Sequence, residues 1–197
     1  AVAYLTGRGI SLETAERCGL GYDPRADPAG SHCFCPRIII PTNESRFVTR
    51  SIDPRTRAAY RVMNNCASPG IFHERALTAA GTAPVFVTEG VFDALSILEV
   101  GGQAVALNSA ANWKRLLDAL QTHPVRAPLL LCLDNDEAGW AATAELAERL
   151  SMLRIPFRDV CADVCGSFKD PNEALCADRS GFSYTINRLI NSKEDLA

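Results

Sequence analysis

The sequence contains no apolar run approaching the roughly 20 residues that a bilayer-spanning helix needs, so a membrane span is not expected. Its first residues, AVAYLTGRGI, hold no basic leader, no apolar stretch of signal length and no cleavage site. Nothing in them directs export, and a cytoplasmic location is expected. None of the eight cysteines belongs to a C-x-x-C pair or to a Cys/His set with zinc spacing; the tightest pairs are Cys33/Cys35 and Cys161/Cys165. A chain of 197 residues buries a core without disulfides, so the cysteines read as thiols. Histidine is scarce: His32, His73 and His123 are scattered away from the acidic clusters and do not read as ligands. Trp113 and Trp140 fall on predicted helices and read as core. Internal repeats and low-complexity segments are absent as well.

Against these absences stands an uneven distribution of charge. Residues 1–82 hold ten arginines against seven acidic residues, whereas residues 83–197 hold ten basic against sixteen acidic. Between Arg37 and Arg61 there is no lysine, and six arginines (Arg37, Arg46, Arg50, Arg55, Arg57, Arg61) meet only Glu44 and Asp53. Guanidinium forks bind phosphate bidentately, so this stretch is a candidate phosphate-tracking surface.

The two halves also differ in pattern. Ser11 can cap a short helix, LETAERC, that Gly19 stops. Residues 23–31 are dense in Pro, Gly, Asp and Ser and read as a loop. RIIIP and RFVTRSI then read as two strands of an antiparallel hairpin that carries Arg37, Arg46 and Arg50 on one small sheet. Residues 60–77 look irregular, then weakly helical, and residues 81–84 form the expected boundary. Beyond it, VFVTE, QAVALNS, PLLLCLDND and IPFRDVCA read as strands alternating with amphipathic helices. That is the signature of a parallel sheet covered on both faces, whose ligands bind beyond the carboxyl ends of the strands. In EAGWAATAELAERLS the helical face is expected to run through Trp140, Ala144, Ala147 and Leu150. The division expected is an arginine-rich amino-terminal lobe over 1–82, an α/β domain over 83–180, and a terminal helix and tail over 181–197, with a core in each lobe.

Three acidic clusters fall where predicted strands end. Glu89 closes VFVTE, Asp93 lies one helical turn on, and Asp134 and Asp136 close LLLCLDND, where alternate residues point to one side. Lys169, Asp170, Asn172 and Glu173 follow the fourth strand. A single strand-end carboxylate is commonly a helix cap, but several crowded at one sheet edge repel unless a cation neutralises them. Oxygen ligands of this kind suit Mg²⁺.

TEGVFD, LDNDEAG and KDPNE, in this order and spacing, closely resemble the Toprim fold shared by bacterial primases, topoisomerases and some nucleases. YLTGRGIS, GLGYDP, RIIIP, the hairpin strand ending in Arg50, YRVMNN and IFHERAL are similar in order to the amino-terminal lobe of DnaG-type primase catalytic cores. The resemblance implies an α/β chain in which a Toprim parallel sheet flanked by helices follows a smaller mixed α+β lobe. It further implies that Glu89, Asp134 and Asp136 are catalytic and hold Mg²⁺ or Mn²⁺, with Asp93 and Asp170 as accessory acids around the metal. Arg37, Arg46, Arg50, Arg61 and Lys169 would contact nucleic acid or nucleoside triphosphate. Ala59 stands where the family commonly has Lys, with Arg61 as substitute, and Asn172 stands where many primases have Asp. The activity implied is template-directed RNA primer synthesis on single-stranded DNA from ribonucleoside triphosphates. The alternatives are a Toprim nuclease and a non-catalytic single-strand-binding module. The zinc and helicase-interacting domains of such primases have no counterpart in these residues, as expected of a catalytic core from a longer protein or of a compact mobile-element version. A replicative helicase would be met through such domains.

Overall fold

The computed structural model describes residues 1–27, 30, 32, 34–66, 69–79, 81–122 and 128–192. Two four-stranded sheets organise them. The first is antiparallel in chain order: β1 (Gly21–Ala26), β2 (Cys35–Pro41), β3 (Phe47–Ser51) and β4 (Val62–Asn64). Two short helices, α1 (Val2–Gly7) and α2 (Leu12–Arg17), precede it, and Ser11 caps α2 by accepting from the Thr14 amide. β1 falls where the Pro- and Asp-rich composition predicts a loop. It is an exposed edge strand in all but Ala26, and an edge tolerates the Pro and the charges that a central strand would not. β4, in the stretch expected to be irregular, likewise closes the opposite edge.

The second sheet is parallel, ordered β6-β5-β7-β8, from β5 (Val85–Thr88), β6 (Gln103–Ala106), β7 (Leu129–Cys132) and β8 (Phe157–Asp159). All four residues of β5 and of β7 are buried, as their unbroken apolar runs require. α4 (Val91–Glu99) links β5 to β6, while α5 (Trp113–Thr122) and α6 (Glu137–Met152) serve the other connections. α3 (Ala76–Ala79) joins the halves, and a bridge from Phe72 to Ala106 ties that connection to the sheet edge. α7 (Cys161–Cys165), α8 (Pro171–Ala177) and α9 (Arg179–Asn191) complete the chain; α9 is the expected terminal helix.

The core is not divided as expected. One apolar cluster runs from Leu5, Ile10, Ile38 and Val48 of the first half across α4 to Phe86, Leu130, Leu175 and Ile186. The other fills the opposite face of the parallel sheet under α5 and α6. Residues 91–98 of α4 are therefore buried throughout, clamped between the sheet, the amino-terminal helices and α8. The small antiparallel sheet thus shares its core with the parallel one, which fixes the relation of the two strand systems across the crevice described next.

Cys18, Cys132, Cys161, Cys165 and Cys176 are free thiols, whereas Cys33 and His123 lie outside the described residues. Trp113 is core, as expected, but Trp140 is not. The buried residues of α6 are Gly139, Thr143, Leu146 and Leu150; Leu150 lies on the expected face, and the other three are each one position before the expected Trp140, Ala144 and Ala147. No helix among the described residues is long and apolar enough to cross a membrane.

Candidate metal centre and nucleic-acid crevice

β5 and β7 are neighbours in register, Thr88 opposite Cys132. The residues that leave these strands, Glu89 from one and Asp134 and Asp136 from the other, therefore emerge side by side. Asp136 is the N-cap of α6: it is both a cap and a site carboxylate, one oxygen accepting from the Gly139 amide at 3.0 Å. Gly139 is indispensable to this turn, because a Cβ there would lie 1.9 Å from the Asp134 carbonyl oxygen. Lys169, brought in by the loop after α7, donates to Asp134 at 2.9 Å and pairs with Asp136 at 3.2 Å. Those two carboxylates hold its ammonium well above the usual lysine range.

Asn135 turns away from the carboxylates, as the alternation of an extended segment predicts. Its backbone amide donates to the Lys169 carbonyl at 2.6 Å, and its side-chain amide donates to the carbonyls of Gly166 and Phe168. Asp170 caps α8 by accepting from the Glu173 amide at 2.7 Å, with Pro171 in the first turn. Asp93 sits deeper: one oxygen accepts from the Gly90 amide at 3.1 Å, the other from the Asn172 amide at 3.4 Å.

Asn172 faces inward. It is fully buried, and its amide donates to the Arg8 carbonyl at 2.9 Å and to Ser96 Oγ at 2.8 Å. Because the Ser96 hydroxyl is already donating to Phe92, only a donor can satisfy it here. An aspartate could not make these two bonds, which accounts for asparagine at this position.

A crevice of about 260 Å³ lies between the sheets, walled on one side by Glu89, Asp93, Asp134 and Asp170 and on the other by Arg8, Arg50, Ile40, Val48 and Val62. Arg50 donates through Nε to the Tyr4 hydroxyl at 3.1 Å, Tyr4 packs edge-on to Phe92, and the Arg8 guanidinium lies 5.1 Å over the same Phe92 ring. Arg8 and Asn108, which also lines the crevice, carry no sequence signal of their own. Asn108 adopts a left-handed φ of 63°, as asparagine tolerates, and donates its side chain to the Gly70 carbonyl at 2.7 Å.

The predicted basic residues do not all gather here. Arg37 is fully buried and donates to Thr49 Oγ1 at 3.2 Å and to the Tyr60 carbonyl at 2.6 Å, so the reading of it as a phosphate contact is corrected. The register explains this: Arg37 pairs with Ser51 while Arg50 pairs with Ile38, placing the two arginines on opposite faces of the sheet. Arg46 lines a separate depression with Glu74 and Arg115, and exposed Arg61 donates to the Thr56 carbonyl. His73 bonds the Ala104 carbonyl, far in sequence from the acidic clusters.

Several carboxyl groups resist ionisation. Burial, followed by the Asp134 charge, raises Glu89 above its ordinary value of 4.5. Burial raises Asp134 above 3.8, with Lys169 opposing and Asp170 and Asp136 adding to the shift. Burial, then Asp170 and Asp134, push Asp93 well above 3.8. Among the described residues no three carboxylate, imidazole or thiol groups converge closely enough to grip an ion as they stand; the Lys169 ammonium lies between Asp134 and Asp136 instead. An all-oxygen donor set under mutual repulsion, already drawing in one cation, fits a hard divalent ion once Lys169 swings aside.

This has a measurable consequence. Between the ordinary and the raised values, the folded chain binds more protons than the unfolded chain, so these groups contribute less stability as pH rises. A divalent cation needs the same carboxylates ionised. The Mg²⁺-induced rise in melting temperature should accordingly be larger near pH 8 than near pH 5. Scanning calorimetry in Mg²⁺ and in EDTA measures it, and equal shifts at both pH values would remove these carboxylates from the ligand set.

Residues 86–175 match the model of the Toprim-like family. No curated protein sequence matches the chain. Among solved structures, the primase fragment of the bacteriophage T7 primase-helicase protein superposes with a TM-score of 0.68 at 23% identity, covering 93% of this chain and 72% of that one. The Aquifex aeolicus primase, in its zinc-binding and RNA polymerase domains, gives 0.68 at 19% identity over 96% of this chain and 54% of the other. A DnaG primase catalytic domain bound to single-stranded DNA gives 0.63 at 17% identity, covering 94% and 72%. Residues 86–175 are thus similar to the Toprim-like family, within a chain that has the fold seen in these primase structures.

Proposed function

We propose that this chain is a primase catalytic core, a nucleotidyltransferase that copies single-stranded DNA into a short RNA primer. The observation that carries the reading is the crevice itself: the ends of β5 and β7 supply Glu89 and Asp134, the start of α8 adds Asp170, and an antiparallel sheet opposes them with Arg50. A hydrolase acting on a phosphate needs only the acidic wall. A polymerase must in addition hold a template and a triphosphate across from it, and the DnaG relative was captured on single-stranded DNA.

In this reading Arg50 and Arg8 neutralise triphosphate oxygens from one side, each held by its aromatic partner, while Arg61 and Arg46 extend the basic track for the template outside the crevice. Lys169 leaves Asp134 and Asp136 to follow the phosphate charge. Asp93 and Asp170 stand behind as accessory acids around the metal. Mg²⁺ or Mn²⁺, held by Asp134, Asp136 and Glu89, would neutralise charge developing at the α-phosphate as a 3′-hydroxyl attacks and pyrophosphate departs. A replicative helicase, as in the T7 primase-helicase protein, is the partner we propose.

The chain, given an oligodeoxynucleotide template, ribonucleoside triphosphates and Mg²⁺, should release oligoribonucleotides that gel electrophoresis resolves. Loss of the template itself, without triphosphates, would instead identify a nuclease built on the same carboxylates.

A further inference from the structure

We propose that Trp140 is a stacking platform for a base of the nucleic-acid strand whose phosphates lie at the carboxylates. The inference rests on the reading of this chain as an enzyme of single-stranded nucleic acid. Trp140 lies in the first turn of α6, four residues after Asp136, and is 58% exposed. That is unusual for the largest apolar side chain, and the other tryptophan, Trp113, is 9% exposed in the core.

The ring is nevertheless not loose. Its Nε1 donates to Asn135 Oδ1 at 3.0 Å, and the amide of the same Asn135 donates to the carbonyls of Gly166 and Phe168. Asn135 thus ties the indole to the loop that carries Lys169 onto Asp134 and Asp136, so the ring is oriented relative to the carboxylates. Its polar edge is satisfied and its π-face is left to solvent. The same asparagine holds the backbone carbonyl of Phe168, whose side chain is 38% exposed.

The surroundings select the occupant. Glu137, Ala138, Ala141 and Ala144 are exposed around the indole, one carboxylate and three small side chains that leave the ring face open to a flat ligand. A nucleobase needs only the ring face, and stacking tolerates any base. The ring is held through Asn135, the residue between Asp134 and Asp136, and so has a fixed place beside the turn that carries those carboxylates.

The test follows a fluorescently labelled oligodeoxythymidylate by anisotropy while tryptophan emission is recorded, with Mg²⁺ present. Binding should quench the intact chain through Trp140, because Trp113 is shielded. Trp140→Ala should weaken binding about ten-fold. Trp140→Phe should recover most of that affinity while abolishing the quenching. Unchanged affinity of Trp140→Ala with no quenching of the intact chain would overturn the inference, and primer synthesis by that same chain would leave the primase reading standing. A ten-fold loss without primer synthesis would uphold the platform and remove the primase reading. Failure of the intact chain to bind the oligonucleotide at all would overturn both.

Discussion

Asp134→Ala is expected to lower primer synthesis at least about 10²-fold while leaving the metal-free protein as stable as the parent. The two halves of this expectation have one cause. Asp134 is partly buried at the end of β7, and its ionised form is disfavoured by burial and by the nearby Asp170 and Asp136 charges, with only Lys169 in its favour. Removing it relieves repulsion that folding had to accommodate, so the fold loses one ion pair that is half open to solvent and gains relief in return. Catalysis has no such compensation, since the neighbouring carboxylates cannot supply the missing oxygens from their own positions. Asp136 is committed to the Gly139 amide, and Asp93 to two backbone amides. Gel assays of oligoribonucleotide formation, paired with thermal melts in EDTA, measure both. A variant that melts normally and still makes primers would remove Asp134 from the metal centre.

Gly139→Ala should do the opposite to stability and the same to activity. In an exposed helix alanine is favoured over glycine by up to about 1 kcal/mol. Here the added Cβ would meet the Asp134 carbonyl oxygen at 1.9 Å, its carbonyl carbon at 2.8 Å and its nitrogen at 3.1 Å. All three are backbone atoms, so no side chain can rotate out of the way, and either α6 or the strand end must move. A destabilisation of about 2–4 kcal/mol is expected, in denaturant titrations, in place of the usual helix gain. Because the atoms displaced belong to Asp134, a shift of about 1 Å there should also cost on the order of 10²-fold in activity. A stabilised or unchanged Gly139→Ala would mean that the turn after β7 is far more compliant than its contacts indicate.

This glycine also shows where the sequence was readable and where it was not. The strand-end positions of Glu89, Asp134 and Asp136 could be read directly, because unbroken apolar runs mark the strands and only their ends can carry charge. The phase expected for α6 is one residue out until Leu150, since Trp140 is the more apolar residue and Gly139 the one that must approach the backbone. A tryptophan attracts an assignment to the core on hydrophobicity alone; close approach is a tertiary fact with no local signal. Arg37 and Arg50 were separable only by sheet register, which the TNES turn does not specify by composition. β1 was hidden because an exposed edge strand is free to be polar. Arg8 reaches Phe92 from one half of the chain to the other, and nothing in GRG announces that contact. Asn172 reads as a ligand position by resemblance, yet its burial against Arg8 and Ser96 makes it a structural donor.

The bonds that close this structure span nearly its whole length. Asn172 reaches the Arg8 carbonyl across 164 positions, and Arg179 reaches the Gly9 carbonyl across 170. Contacts so distant in sequence come late in folding, after the entropy of closing large loops has been overcome. On a ribosome, which delivers the chain from the amino terminus, Leu5 and Ile10 would emerge long before α8 and α9 exist to cover them. The crevice can therefore take its final form only after α8 and α9 have left the ribosome, and a chain stopped short of them would present the acidic and basic walls without the clamp that sets them face to face.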